Sequence, residues 1–308
     1  SIIDVPKWRQ DRDWRLLLAP FLTLRAVIQT WRVFRRVKPD LVVGMGGYVA
    51  GPAGLVAFLS RIPLVIHEQN SVPALTNRLL APLASRLLTA FPDTFARYAA
   101  KTRCVGNPLR AEVLQVPVNR ARYQGRHALK HVLVFGGSQG AQRLNEIVPE
   151  ALALLPIALR PKVWHQTRYE DCDAVRQRYA LLNVDAKAAP YIEEMADAYA
   201  WADLAIARSG AMTVSELAAV GLPSILIPYP YATDDHQMKN AEYLGTQGAA
   251  LVWRQTHFTA QNLANQLRDL MQNPDTLGRM SVCARKLAIL NATESAAREC
   301  LAFIKTVG

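Results

Sequence analysis

Asp203-Leu204-Ala205-Ile206-Ala207-Arg208-Ser209-Gly210-Ala211-Met212-Thr213-Val214-Ser215-Glu216-Leu217-Ala218-Ala219-Val220 is the stretch whose reading decides the fold. Residues 203–207 form an apolar run that reads as a short buried strand, and Leu217 to Val220 are good helix formers. Between them the small residues Ser209, Gly210 and Ala211 make a strand-to-helix turn that lets a ligand approach the backbone. A helix N-terminus offers N–H groups and the positive end of a dipole, so such a turn favours an anion. Glu216, one turn in, carries a carboxylate that can accept two hydroxyls of a ribose. Ser and Thr also cap helices routinely, with no ligand involved.

The same grammar runs outward in both directions. Downstream come a strand at Ser224-Ile225-Leu226-Ile227-Pro228, a loop from Tyr229 to Asp235, and a helix opening at His236-Gln237-Met238-Lys239-Asn240-Ala241. Three more helices follow, from about residues 259, 274 and 293. Upstream, His131 to Phe135 reads as a strand, Gly136-Gly137-Ser138-Gln139-Gly140-Ala141 as a glycine turn, and Asn145 to Leu155 as a helix. Val163 to Gln166 and Asp171 to Leu181 repeat strand and helix. Pro190-Tyr191-Ile192 then leads into Glu193-Glu194-Met195.

The N-terminal half has its own instance. Leu41-Val42-Val43 is a β-branched strand, followed by Gly44-Met45-Gly46-Gly47-Tyr48 and an apolar helix to about Ser60. Pro63 to Ile66 is a second strand ending in His67-Glu68-Gln69-Asn70, a run of hydrogen-bonding side chains at the strand edge where open parallel sheets bind ligands. Pro73 is read as opening the next helix, and residues 86–90 and 102–105 as short strands. Pro108, Pro117 and the charged stretch to Arg126 read as an interdomain linker, with Arg110 at the junction. Two successive blocks of alternating strand and helix predict an α/β chain of two doubly wound, Rossmann-like parallel-sheet domains facing across a cleft. The boundaries are placed at residues 1–107, 108–291 and a returning C-terminal helix at 292–308.

Composition narrows the class. A chain of 308 residues with 51% hydrophobic content can bury two cores, and its net charge of +11 calls for an anionic partner. Cys104, Cys172, Cys283 and Cys300 lack metal or redox spacing and read as reduced thiols. No apolar run is long enough to span a membrane, and no nucleic-acid module accompanies the charge. Residues 12–38 have a helical pattern, with Leu17, Phe21, Leu24 and Val27 on one stripe. Arg12, Arg15, Arg25, Arg32, Arg35, Arg36 and Lys38 surround it. That pattern suits a core-facing helix with a solvated basic face, or an apolar patch that docks on an anionic bilayer.

The glycine turns, the His67–Asn70 run, Gly106-Asn107-Pro108-Leu109-Arg110, the Arg208–Glu216 string and the Asp235-His236-Gln237…Asn240-Ala241 segment, in this order and spacing, closely resemble the MurG family of bacterial N-acetylglucosaminyltransferases. The resemblance covers essentially the whole chain. It implies a GT-B fold and inverting transfer of N-acetylglucosamine from UDP-N-acetylglucosamine to the 4-hydroxyl of undecaprenyl-diphospho-muramyl-pentapeptide, completing lipid II. It implies that Ile192 offers its backbone to uracil, that Ala211, Met212, Thr213, Val214, Ser215 and Glu216 hold diphosphate and ribose, and that Ser138 touches the nucleotide. Gln237 and Asn240 would read the sugar hydroxyls, Arg110 would neutralise diphosphate, and Asn70 would reach the sugar across the cleft. Gly46, Gly47, Tyr48 and Gly137 would face the acceptor diphosphate. It implies no cofactor, no metal and no nucleic acid, a peripheral place on the cytoplasmic face of the inner membrane, and cell-wall and division machinery as partners.

One departure stands out. The family opens with a further strand and a Gly-Gly-Thr-Gly-Gly-His-type loop that residues 1–38 do not match, so the first domain is expected to be incomplete and its histidine base absent. Glu68 and His67 are then the candidates to assist deprotonation. Asp171-Cys172-Asp173 fits a metal-binding Asp-x-Asp literally but sits at a helix start, where it caps. The rival readings are a diacylglycerol glycosyltransferase, a UDP-N-acetylglucosamine 2-epimerase, and a UDP-sugar-binding fragment without turnover.

Overall fold

A computed structural model of the chain describes residues 15–118, 123, 129–136 and 141–304. The chain divides into two compact units, one ending at Pro108 and resuming at Asn291, the other running from Leu109 to Leu290. In the first, α1 (Arg15–Val37) leads to β1 (Val42–Gly44), α2 (Ala50–Leu59), β2 (Leu64–Glu68), α3 (Leu75–Leu80), β3 (Arg86–Thr89) and β4 (Thr102–Cys104). The strands form one parallel sheet in the order β1-β2-β3-β4, with Val42 opposite Leu64 and Val65 opposite Arg86.

Every residue of β2 is buried, as expected of a parallel strand covered on both faces. Leu64 and Ile66 pack with Ala57, Leu80 and Leu87 under α2 and α3. Val65 points the other way, into a cluster with Leu88 and Val105 that Ala296, Cys300 and Phe303 close over. Those last residues come from α12 (Ala292–Leu301) and the turn after it. Each fully buried side chain of this kind contributes about 1.5–3 kcal/mol. Gly54 lets α2 lie close: a Cβ there would stand 2.7 Å from a methyl of Leu80.

The second unit contains α4 (Ala111–Leu114), β5 (His131–Phe135), α5 (Gln142–Ala153), β6 (Lys162–Gln166), α6 (Cys172–Leu181), β7 (Ala186–Ala189), α7 (Met195–Trp201), β8 (Leu204–Ala207), α8 (Ala211–Val220), β9 (Ser224–Leu226), α9 (His236–Gly245), β10 (Ala250–Val252), α10 (Ala260–Gln272) and α11 (Pro274–Lys286). Its strands are all parallel, in the order β10-β9-β8-β5-β6-β7. The chain moves outward from β5 through β6 to β7, then returns to the opposite side of β5 as β8. The order therefore reverses between β5 and β8, and in open α/β sheets the crevice at such a reversal is where ligands bind.

Several elements differ from the sequence reading. The stretch read as a linker contains α4, which packs on α7 and α8 with Val113 buried. Helix α3 starts at Leu75 rather than Pro73, because the N–H groups of Asn70 and Ala74 are tied to the Glu68 carboxylate and Ala74 is extended (below). Helix α5 starts at Gln142, three residues early. Strands β7 and β10 and helix α7 had no counterpart in the reading.

Candidate active site

The second unit is built around the start of α8. Gly210 precedes the helix in an extended conformation at the C-terminal edge of β8, and the helix ends at Gly221, whose left-handed φ of 65° suits glycine. Ser281 donates its hydroxyl to the Gly221 carbonyl at 2.6 Å, holding that end. The turn itself is braced from behind. Ser209 donates its hydroxyl to the Gln237 carbonyl at 2.8 Å, and Asn240 donates its amide to the Ser209 carbonyl at 3.2 Å. Asn240 is fully buried. Its amide therefore supports the turn from behind. Gln237 accepts the Tyr229 N–H at 2.9 Å, fixing the loop ahead of α9.

Arg208, buried at the end of β8, donates to the carbonyls of Ile227 and Pro228 and to Gln255 Oε1 at 3.0, 3.2 and 2.7 Å. It joins the turns after β8, β9 and β10. The sequence reading places Arg208 in a motif without giving it a role, and does not mark Tyr199.

Tyr199, on α7, donates its hydroxyl to Glu216 Oε2 at 2.8 Å. Arg110, ahead of α4, brings Nη2 to 3.7 Å from Glu216 Oε1. Burial pushes the Glu216 carboxyl above its ordinary pKa, and the Tyr199 hydroxyl and Arg110 pull it back. Burial, with the charge of Glu216, holds the Tyr199 phenol well above its ordinary range. Arg110 remains half-exposed, so its guanidinium is open to an incoming anion. Ile192 lies between β7 and α7 with its side chain buried, and Val214 is likewise enclosed, so each could meet a ligand only through its backbone. Met212 is exposed, and Ala211, Thr213 and Ser215 complete the first turns of α8. Gly137 and Ser138 lie outside the described residues. Asp171 and Asp173 are engaged by Arg168 and Arg176 at 2.8 and 3.1 Å.

In the first unit, the turn after β1 and the ends of β2 and β4 come together. Gly46 and Gly47 have φ of 83° and 78°, which require glycine, and Tyr48 beside them is exposed. Gln69 donates to the Met45 carbonyl, and Asn107 donates to the Gln69 carbonyl at 3.2 Å. Glu68 is wholly enclosed. Its oxygens accept from Asn70 N–H (3.0 Å), the Asn70 amide (3.3 Å), Ala74 N–H (2.9 Å) and the Asn77 amide (2.7 Å). His67 is 1% exposed and donates Nε2–H to the Gly106 carbonyl at 2.9 Å. Burial lowers its pKa, against the smaller opposing effects of that carbonyl and Glu68. Both groups expected to take a proton are thus part of β2's interior. Closed to solvent and committed to the 69–74 loop and the end of β4, they are built to hold backbone.

On α1, Ala26 and Thr30 face inward, whereas Phe21 is 70% and Trp31 46% exposed, with Leu24 and Ile28 between them. Val27 is half-buried, and the side chain of Leu17 lies outside the described set. Among the described residues, no helix is long and apolar enough to cross a membrane.

Comparison with known proteins places this architecture in one class, the glycosyltransferases of GT-B fold. Residues 1–89 match the model described as the glycosyltransferase family 28 N-terminal domain, and residues 131–298 its C-terminal domain. The chain belongs to glycosyltransferase family 28. It is 50% identical over 287 residues to the UDP-N-acetylglucosamine–N-acetylmuramyl-(pentapeptide) pyrophosphoryl-undecaprenol N-acetylglucosamine transferase of Stutzerimonas stutzeri, covering 93% of this chain and 79% of the relative. It is 42% identical to the protein of that name from Coxiella burnetii, covering 98% and 84%. The crystal structure of Acinetobacter baumannii MurG superposes with a TM-score of 0.79 at 36% identity, covering 97% of this chain and 83% of that one. A UDP-GlcNAc 2-epimerase from Neisseria meningitidis, 14% identical with a TM-score of 0.65 over 91% and 81% of the two chains, shares the fold alone.

Proposed function

We propose that this chain transfers N-acetylglucosamine from UDP-N-acetylglucosamine to the 4-hydroxyl of undecaprenyl-diphospho-muramyl-pentapeptide, with inversion. The observation that carries the reading is the start of α8 at the β5/β8 reversal, with Glu216 and Arg110 beside it. A helix N-terminus favours the diphosphate, Glu216 accepts the ribose hydroxyls, and Arg110 supplies a cation beside Glu216. The backbone at Ile192 takes uracil, and Gln237 the sugar. As the acceptor 4-hydroxyl attacks the anomeric carbon and gives its proton to a general base, the anomeric bond to UDP breaks, and the helix terminus and Arg110 stabilise the negative charge on the departing diphosphate. Glu68 and His67 act in this scheme by holding the acceptor-side loop and Asn70, not by accepting the proton. Gly46, Gly47 and Tyr48 meet the acceptor's diphosphate.

The exposed apolar stripe of α1, flanked by Arg25, Arg32, Arg35 and Arg36, docks on an anionic membrane surface, so the protein works peripherally at the inner membrane's cytoplasmic face. The enzymes that make the acceptor and consume the product are its functional neighbours there.

Incubation with radiolabelled UDP-N-acetylglucosamine and the lipid acceptor tests the reading. Label in the lipid fraction, dependent on acceptor and absent with UDP-galactose, is the expected result. Calorimetric binding of UDP-N-acetylglucosamine no tighter than ADP would overturn the donor assignment.

A further inference from the structure

We propose that Tyr199 is a positioning residue for nucleotide recognition: by donating its hydroxyl to Glu216 Oε2 at 2.8 Å it fixes the carboxylate in the orientation that accepts both hydroxyls of a ribose. The inference rests on the assignment of Glu216 to the ribose.

The bond joins two different helices, α7 and α8, and its donor end is held rigidly. Tyr199 is 2% exposed, and its ring meets Phe135 of β5 edge-on, with centroids 6.0 Å apart and planes at 69°. A phenol so enclosed has little freedom to move, so the hydroxyl is a fixed point. Glu216, by contrast, reaches its site through a flexible stem. An ionised carboxylate has roughly four acceptor positions. Tyr199 occupies one, and that choice sets where the others point. Arg110 does not perform this task. At 3.7 Å it is beyond a good hydrogen bond, and it is half-exposed and free to follow a diphosphate.

The bond also has a route to the base. Helix α7 begins at Met195, after Ile192, Glu193 and Glu194, so one hydrogen bond ties the helix that follows the segment assigned to uracil to the side chain assigned to ribose. The hydroxyl further favours the ionised carboxylate, offsetting part of the larger opposing effect of burial.

Calorimetric titration of the full chain with UDP, 2′-deoxy-UDP and 3′-deoxy-UDP tests this. The wild-type protein is expected to prefer UDP by roughly tenfold or more over each analogue, the effect of one hydrogen bond to a charged group. Tyr199→Phe is expected to lose most of that preference while its affinity for the deoxy ligands changes by less than about threefold. Adding Tyr199→Phe to Glu216→Gln is expected to change nothing further. Equal weakening of all three ligands by Tyr199→Phe, or an undiminished preference for UDP, overturns the proposal. 3-Fluorotyrosine at position 199 keeps the ring and donates more strongly, so it preserves or sharpens the preference; loss of the preference in that protein also overturns it. A wild-type protein with no preference for UDP would instead overturn the ribose assignment of Glu216, a result separable from the rest.

Discussion

Asn77 donates its side-chain amide to Glu68 Oε2 at 2.7 Å, and both side chains are completely closed to solvent. The pair fastens the first turn of α3 to the end of β2, with the loop between them wrapped on the same carboxylate. Glu68→Ala strips partners from the Ala74 and Asn70 N–H groups and from Asn77 at once. A buried donor left without its acceptor costs about 1–3 kcal/mol; Asn77 is fully buried and the two N–H groups are partly so, so the variant should lose roughly 2–3 kcal/mol of stability in urea unfolding. A proton-accepting role would show differently, as a collapse of kcat in Glu68→Gln with the unfolding midpoint unmoved.

Arg110→Ala should weaken UDP by roughly ten- to a hundredfold while leaving uridine nearly unaffected, because only the diphosphate needs the guanidinium. Arg110→Lys should recover part of the loss, a point charge replacing a planar fork. Equal effects on UDP and uridine would place Arg110 on the nucleoside instead.

Phe21 and Leu24 are exposed on α1, so Phe21→Ser with Leu24→Ser should leave the unfolding curve within about 0.5 kcal/mol of wild type. Sedimentation with vesicles containing anionic lipid should fall by about tenfold or more. Binding by the wild-type chain should also drop as salt rises, since the Arg25, Arg32, Arg35 and Arg36 charges are screened. Vesicle binding that ignores both changes would remove α1 as the docking surface.

His165 sits wholly buried with Nδ1 2.8 Å from the Tyr179 hydroxyl, and burial pushes its pKa down to about 3 from an ordinary 6.5. The unfolded chain therefore takes up a proton that the folded chain refuses. Above pH 6.5 this has no effect. As pH falls from 6.5 toward 3, stability should decline by about 1.4 kcal/mol per unit from this group. His67, lowered in the same direction, adds to the slope. His165→Asn should flatten the pH dependence of urea stability across that window, whatever its stability at pH 7. An unchanged slope would show that the ring already accepts a proton in the folded state.

The strand–turn–helix rhythm was legible because buried parallel strands are β-branched runs and their turns need glycine, as at Val42–Gly47 and Leu204–Gly210. β7 was not, because Ala186-Lys187-Ala188-Ala189 contains no strand-favouring side chain and pairs only through its neighbour β6. β10 is three residues long and shows no period. α4 was hidden by Pro108 and Pro117, which mark breaks but do not forbid one helical turn between them. At the site, residue type indicated Glu216 and Arg110. Whether a polar side chain points into a ligand or into the fold was not written in spacing: Asn240, Glu68 and His67 all turned inward. Tyr199 acts from helix to helix and Asn77 from helix to strand, 17 and 9 residues from their partners, at no motif's period.

The closing of Ala296, Cys300 and Phe303 over Val65, Leu88 and Val105 has a bearing on biosynthesis. The unit whose strands come earlier in the chain is sealed by a helix made only after the whole of the second unit, whereas residues 109–290 are contiguous and can complete their own core in between. Translation order and folding order are therefore inverted. Until α12 emerges, the nascent chain carries an open apolar sheet face, and a message cut short after Leu290 would yield a finished second unit tethered to an aggregation-prone, unfinished first one.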